Sequence, residues 1–544
     1  MFILMVVIFV LGYTMIALEH PLKIDKAASA LLIGVLTWAV YALNSVDILG
    51  LGHNMEWNHI THGVELGTQN LHEVASHFVK HELGHHLIEI SEILFFLLGA
   101  MTIVEVVDHH QGFKLITDKI TTTSKVKLLW ILGILTFFMS AALDNLTTTI
   151  VMVTLLKKLI DDKGTRWFFA SIIVIAANAG GAWSPIGDVT TIMLWIGGQI
   201  TAGNIIAMVF VPSLMSMIVP LIILTFSMKG VVSRPQLSDN DSKDFTSKGE
   251  QKLLLFVGVG ALLFVPVFKT VTHLPPYLGM LLGLGSIWVL TEIMHRNKPV
   301  EDKRHLSVVS ILKKVDVPTV MFFLGILTAV SSLQSAGQLG LLAQWLDDIT
   351  NKNIYLIDTV IGVLSSIVDN VPLVAGSMGM YAIDHAGAFA QDGVFWELLA
   401  YTAGTGGSIL IIGSAAGVAA MGMEKIDFIW YMKKISLLAM VGYFAGIGAY
   451  WAQEHIVGAE EEAEGGTINI VEEKAEGAID DSKEVFLESE MFIGIKHIVE
   501  GEATNEETTA PVEEAIIEEV VSEEVIVNDS VEVEETATET TVTE

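Results

Sequence analysis

Up to about residue 452 the chain alternates long apolar runs with short polar connections. Ten of these runs are long enough to cross a hydrocarbon layer of ~30 Å, which takes roughly 20 helical residues: 1–18, 27–46, 87–107, 167–198, 203–228, 253–272, 277–294, 317–337, 394–423 and 435–452. Two further apolar stretches, 128–160 and 354–386, are broken midway by polar residues and predict re-entrant hairpins. The runs 167–198 and 394–423 are interrupted as well, by clusters of Gly, Ser and Pro, and predict broken helices. The pattern therefore predicts an all-α polytopic membrane protein with about ten transmembrane helices, two re-entrant hairpins and two interrupted helices.

Basic residues orient this map. With both hairpins returning to the side they enter from, 24 of the 30 Lys and Arg fall on one side. By the positive-inside rule that side is cytoplasmic, which places both termini and the loop 47–86 outside a cytoplasmic membrane. The first run lacks a preceding positive charge and a small-residue cleavage site, so it reads as a retained span. An internal repeat supports the same arrangement. At an offset of 226, Phe96 aligns with Phe322, Leu98 with Leu324, Gly99 with Gly325, Thr102 with Thr328, Gly180-Gly181 with Gly406-Gly407 and Gly187 with Gly413. At 225, Asp144-Asn145 aligns with Asp369-Asn370. An odd number of crossings separates the copies, so they run in opposite directions, the signature of secondary transporters. The expected organisation is 1–86, two helices and a His-rich outer segment; 87–228, the first repeat; 229–316, a linker with two spans; 317–452, the inverted second repeat; and 453–544, an acidic disordered tail.

Composition sharpens the picture. The chain is 52% hydrophobic with a mean hydropathy of +0.58, yet carries a formal charge of −32. Residues 454–544 hold 29 of the 62 acidic and 3 of the 30 basic residues, so the apolar body is close to neutral. The absence of Cys excludes disulfides, thiolate metal sites and cysteine nucleophiles. The tail is rich in Glu, Thr and Val, a composition that predicts disorder.

The chemistry lies at the breaks: Leu143-Asp144-Asn145-Leu146-Thr147-Thr148-Thr149, Val368-Asp369-Asn370-Val371-Pro372, Asn178 to Thr191, and Gly404 to Ser414. Unwound backbone in hydrocarbon is tolerable only when buried in protein or lining a wet cavity. Carbonyls, hydroxyls, amides and carboxylates make an all-oxygen set suited to a hard cation. No Lys or Arg falls well inside a span, whereas Glu89, Glu92, Glu105, Asp144, Asp188 and Asp369 lie in or beside them, so cation cargo is favoured over an anion. A proton and a cation competing for one carboxylate is the simplest chemistry for exchange.

The runs His81 to Ile90, Leu97 to Glu105, Asp144 to Thr148 and Asn178 to Asp188 resemble the NhaD-type sodium/proton antiporters of the ion-transporter superfamily, over roughly residues 1–452. The resemblance implies export of Na⁺ or Li⁺ against H⁺, favoured at alkaline pH, by a membrane carrier that is not an enzyme and needs no cofactor. It carries function to Asp144, Asn145, Asn178, Asp188, Thr190, Asp369, Asn370 and Ser408, with Thr147 beside them. Asp144 and Asp369 are expected to exchange the cation and the proton near the midplane. Asn145, Asn370, Asn178, Thr190 and Ser408 would complete the shell, and Asp188 would be a third ligand or a proton-release group. No nucleic-acid partner is expected, and a homodimer is left open.

Ten of the 17 histidines fall between His53 and His110. Within that segment His81-Glu82-Leu83-Gly84-His85 matches the pattern of zinc proteases, with Glu105 or Asp108 as third ligand. The competing readings are a non-catalytic metal site, ordinary solvated histidines, and pH sensing by His81, His85 and His86 with Glu89, Glu92 and Glu105. An anion or dicarboxylate carrier of the same superfamily is the remaining alternative.

Overall fold

The computed structural model describes all residues except 62–67, 118, 236–245, 300–302, 304–305 and 465–544. The fold is helical; among the described residues there is no β-strand, only the isolated bridges Ser124–Val231 and Asp384–Ala390. The principal helices are α1 (Phe2–Ala17), α2 (Lys26–Leu43), α3 (Thr68–His109), α4 (Lys125–Leu143), α5 (Asn145–Leu159), α6 (Lys163–Ala182), α7 (Val189–Ile196), α8 (Ala202–Ser227), α9 (Lys248–Thr272) and α10 (Pro276–His295). They continue as α11 (Val317–Ser335), α12 (Ile354–Leu364), α13 (Asn370–Met380), α14 (Val394–Gly406), α15 (Ala415–Glu424), α16 (Phe428–Lys434) and α17 (Ser436–Glu464). Seven described helices are long and apolar enough to cross a membrane, and α16 with α17, bent by 52°, makes an eighth. The chain is thus a multi-pass membrane protein.

Several elements differ from their expected extents. Helix α3 has 42 residues, about 63 Å at the usual rise, twice what the hydrocarbon needs. Hydropathy marks only its apolar part, and the preceding polar turns belong to the same helix. Helix α1 has 16 residues, short for a span, and packs along α2. Helix α4 has 19 residues and by itself meets the spanning test, whereas the hairpin reading makes it one arm; α4 and α5 pack on each other and both on α6. Helix α17 runs to Glu464, past the expected start of the tail at 453. The remainder of the acidic tail lies outside the described residues.

The same contacts recur in the two halves. Ser140 Oγ donates to the Ala177 carbonyl at 2.6 Å, and Ser365 Oγ to the Ala403 carbonyl at 2.7 Å. A Cβ on Gly180 would sit 2.2 Å from the Phe137 carbonyl oxygen, and one on Gly406 would sit 2.0 Å from that of Gly362. In both places the broken helix crosses its neighbour backbone to backbone, so only Gly fits. The shorter piece of each broken helix then leaves its own half: α15 packs on α5, and α7 on α13. Helices α8 and α17 pack together, and each also packs on α14.

Candidate cation site at four helix restarts

Each break ends at a residue that caps the helix restarting beyond it. Asp144 accepts from the Thr147 amide, Asp188 from the Thr190 amide, Asp369 from the Val371 amide and Ser414 from the Gly417 amide. Asp, Asn, Ser and Thr are the residues a helix start selects, because their oxygen satisfies an orphan N–H. Helix N-termini also carry partial positive charge, which stabilises a nearby carboxylate. At the repeat offset of 226, Asp188 stands where Ser414 stands in the other half, so the two halves are chemically unequal at that cap.

The hub is Asp188, 1% exposed. Its Oδ2 accepts from Asn145 Nδ2 at 2.7 Å and from Asn370 Nδ2 at 3.3 Å. Asn145 Nδ2 also donates to Asn178 Oδ1 at 3.2 Å, and Asn178 Nδ2 donates to Ser408 Oγ and Ser414 Oγ, both at 2.9 Å. The network thus joins all the breaks, with every member nine-tenths buried or more. Thr190 Oγ1, Thr148 Oγ1 and Thr149 Oγ1 are buried nearby in the chain with no hydrogen-bond partner, leaving hydroxyl oxygens available to a ligand.

The two acids expected to lead the chemistry sit at the edge of this network. Asp144, at a left-handed φ of +83°, turns its carboxylate onto its own helix, accepting from the Thr147 amide at 2.7 Å and the Thr147 hydroxyl at 2.8 Å. Asp369 Oδ2 pairs with Lys26 Nζ at 3.3 Å, and that ammonium also lies 4.3 Å from the Phe322 ring centroid. The expectation that no base neutralises the core acids therefore fails at Asp369. Lys26 is the first residue of α2 and reads as a loop residue in the sequence, but the packing of α2 on α11 brings it to the break before α13.

Residues outside the sequence-based set also line the interior. Asp358, in α12, is fully buried and neither carboxylate oxygen has a hydrogen-bond partner. Glu397, in α14, is 3% exposed and accepts from Tyr450 and Asn204. Their signal was present, as acids within apolar runs, but no repeat-matched break draws attention to them.

The histidine segment lies on α3, away from this network. His86 is buried, while His85 and Glu89 are exposed. His86 Nδ1 lies 3.3 Å from Glu89 Oε2, and His85 Nδ1 lies 3.9 Å from Glu89 Oε1. His81 is not in this group. Glu105 and Asp108 lie 20 and 23 residues beyond His85 on the same continuous helix, about 30 and 35 Å away, so neither of these two candidate third ligands reaches His81 and His85. Glu105 instead pairs with His109, at 3.6 Å. The suggested pH-sensing set is thereby divided between the two halves of α3: His81, His85, His86, Glu89 and Glu92 in one region, Glu105 in another.

Comparison with known proteins gives the context for this geometry. A family model described as citrate transporter matches residues 3–406. Sodium/proton antiporter 1 of Arabidopsis thaliana is 46% identical over 458 residues, covering 83% of this chain and 72% of the relative. Sodium/proton antiporter 2 of the same plant is 46% identical, covering 82% and 99%. The Na⁺/H⁺ antiporter NhaD of Vibrio cholerae is 30% identical, covering 82% and 91%. With a polytopic helical body, matched breaks and this similarity over most of its length, the chain belongs to the citrate-transporter family of membrane carriers and, within it, to the NhaD-type sodium/proton antiporters.

Proposed function

We propose that the protein exchanges Na⁺, or Li⁺, for H⁺ across a cytoplasmic membrane, with Asp188 as the shared binding group. The observation that carries this reading is a carboxylate buried to 1% exposure and surrounded by neutral amides and hydroxyls. Without a cation, the amide N–H groups of Asn145 and Asn370 satisfy Asp188. Rotation of either amide by half a turn presents a carbonyl oxygen instead, and the unpartnered Thr190 hydroxyl supplies another. Hard cations take such oxygen sets. A proton neutralises the same carboxylate, so one occupant excludes the other, and that exclusion converts a proton gradient into cation extrusion. A bound dicarboxylate would face Asp188 among neutral amides and hydroxyls, and the Lys26 ammonium at the approach is already paired with Asp369, which disfavours the anion-carrier reading. The names of the relatives support sodium/proton exchange.

The two repeats, 87–228 and 317–452, would rock to expose the site alternately, with Asp144 and Asp369 at its approaches. The test is dissipation of a preset pH gradient by Na⁺ or Li⁺ in everted membrane vesicles, from neutral to alkaline pH. Asp188→Asn should lose the response while remaining in the membrane, and Asp188→Glu should keep part of it. Near wild-type exchange by Asp188→Asn would remove Asp188 from the mechanism. Uptake of a labelled dicarboxylate with no sodium response would instead favour the anion carrier.

A further inference from the structure

We propose that His85, His86 and Glu89 of α3 form a binding site for a divalent transition-metal ion, with Zn²⁺ as the best fit. One ligand atom from each residue lies within 4.8 Å of the others. The Glu89 carboxylate approaches both rings, through Oε2 to His86 Nδ1 at 3.3 Å and through Oε1 to His85 Nδ1 at 3.9 Å. Zinc bonds of about 2.0–2.1 Å in a tetrahedron place ligand atoms about 3.3 Å apart, so the group closes with small rotations of His85 and Glu89, both of which are exposed. Two imidazole nitrogens and a carboxylate are a borderline-soft set that suits zinc over Na⁺ or Mg²⁺. With three protein ligands, the fourth position is left to water.

The buried ligand is held ready. His86 packs against Trp38, and its Nε2 lies 3.0 Å from Ser335 Oγ at the end of α11. A hydroxyl both donates and accepts. In the metal-free state Nδ1–H donates to Glu89 and the Ser335 hydroxyl donates to Nε2. With metal on Nδ1 the proton moves to Nε2, and Ser335 accepts from it. The ring therefore changes tautomer without losing its partner, the support that a ligating histidine ordinarily has from a second hydrogen bond. Ser335 is itself anchored, because its carbonyl accepts from Tyr41 and Asn54. The zinc-protease pattern in the sequence points to His81 and His85; the ligand set in the structure lies one turn further along the helix and uses the adjacent histidine.

This site stands apart from the cation network and does not depend on the exchange reading. The experiment is Zn²⁺ binding to the full-length protein, purified without a histidine tag, by competition with a chromophoric chelator. One Zn²⁺ per chain is expected. His85→Ala and Glu89→Gln should each weaken it at least tenfold, whereas His77→Ala, an exposed histidine of the same helix, should leave it unchanged. Ser335→Ala should weaken binding without abolishing it. Stoichiometric binding that survives His85→Ala or Glu89→Gln, or that disappears with His77→Ala, would overturn the assignment, as would no binding by the parent protein. A melting temperature for each variant separates loss of the site from loss of the fold.

Discussion

Lys26 behaves in this structure as a tethered cation at Asp369, and removing it should sharpen the response to Na⁺. Its Nζ is 3.3 Å from Asp369 Oδ2, with side chains only 21% and 15% exposed. At that distance the attraction is about 1.3 kcal/mol in a bulk-water dielectric and about 5 kcal/mol at an effective dielectric near 20. The pair is partly buried, so its coupling lies between these figures. A sodium ion that approaches Asp369 must displace the ammonium, which the Phe322 face can hold in the meantime. In Lys26→Met that competition is gone. Since each ~1.4 kcal/mol is a factor of ten, even the lower figure predicts a roughly tenfold fall in the half-saturating Na⁺ concentration. The assay is sodium-dependent collapse of a pH gradient at alkaline pH, where protons compete least, with membrane abundance matched by immunoblot. An unchanged or increased half-saturating concentration, with normal abundance, would refute the argument; Lys26 would then be holding the fold rather than opposing the cargo.

Two further outcomes concern the helix crossings and the end of α3. Gly180→Ala and Gly406→Ala should each sharply reduce the amount of folded protein in the membrane, because the added methyl meets a carbonyl oxygen at 2.2 or 2.0 Å, whereas Gly84→Ala, with open space around it, should be neutral; fluorescence-detected size exclusion of detergent extracts would check both. At the end of α3, burial pushes the His110 imidazole from its ordinary 6.5 down to about 4, with His295, Lys298 and His109 adding to the effect. Its Nδ1–H donates to the Val106 carbonyl at 2.7 Å, and its Nε2 faces His295 Nε2 at 3.3 Å, so the rings share one proton between them. The folded state binds a further proton less readily than the unfolded chain. The stability from this pair is therefore complete above about pH 6.5 and is lost progressively as pH falls toward 4. Thermal melts across that range should show a slope that His110→Gln reduces.

The four breaks are readable from the sequence because Gly, Pro and capping Asp or Ser act locally, within a few residues of the helix ends they set. What those caps then do is decided by partners far away along the chain. The Lys26–Asp369 pair spans 343 residues, and hydropathy treats Lys26 as the edge of a span. Asp188 reads as one acid among several until folding brings Asn145 and Asn370 to it from different halves. Ser414 lies within one of the four breaks, but a serine beside glycines carries no distinctive signal; its equivalence to Asp188 becomes visible only when both are seen capping restarted helices. Asp358 shows the opposite limit: an acid inside an apolar run is visible in the sequence, but that its carboxylate is left without partners is visible only in the fold.

The exchange of short helices between the halves has a consequence for how such a protein can be divided. Asp188 caps α7, which packs on α13, while one of its two amide partners, Asn370, begins α13 itself. Neither half alone contains the donor set around that carboxylate. If the two halves were produced as separate polypeptides, each would be an incomplete fragment, and sodium sensitivity would emerge only upon their assembly, as a property of the joined pair.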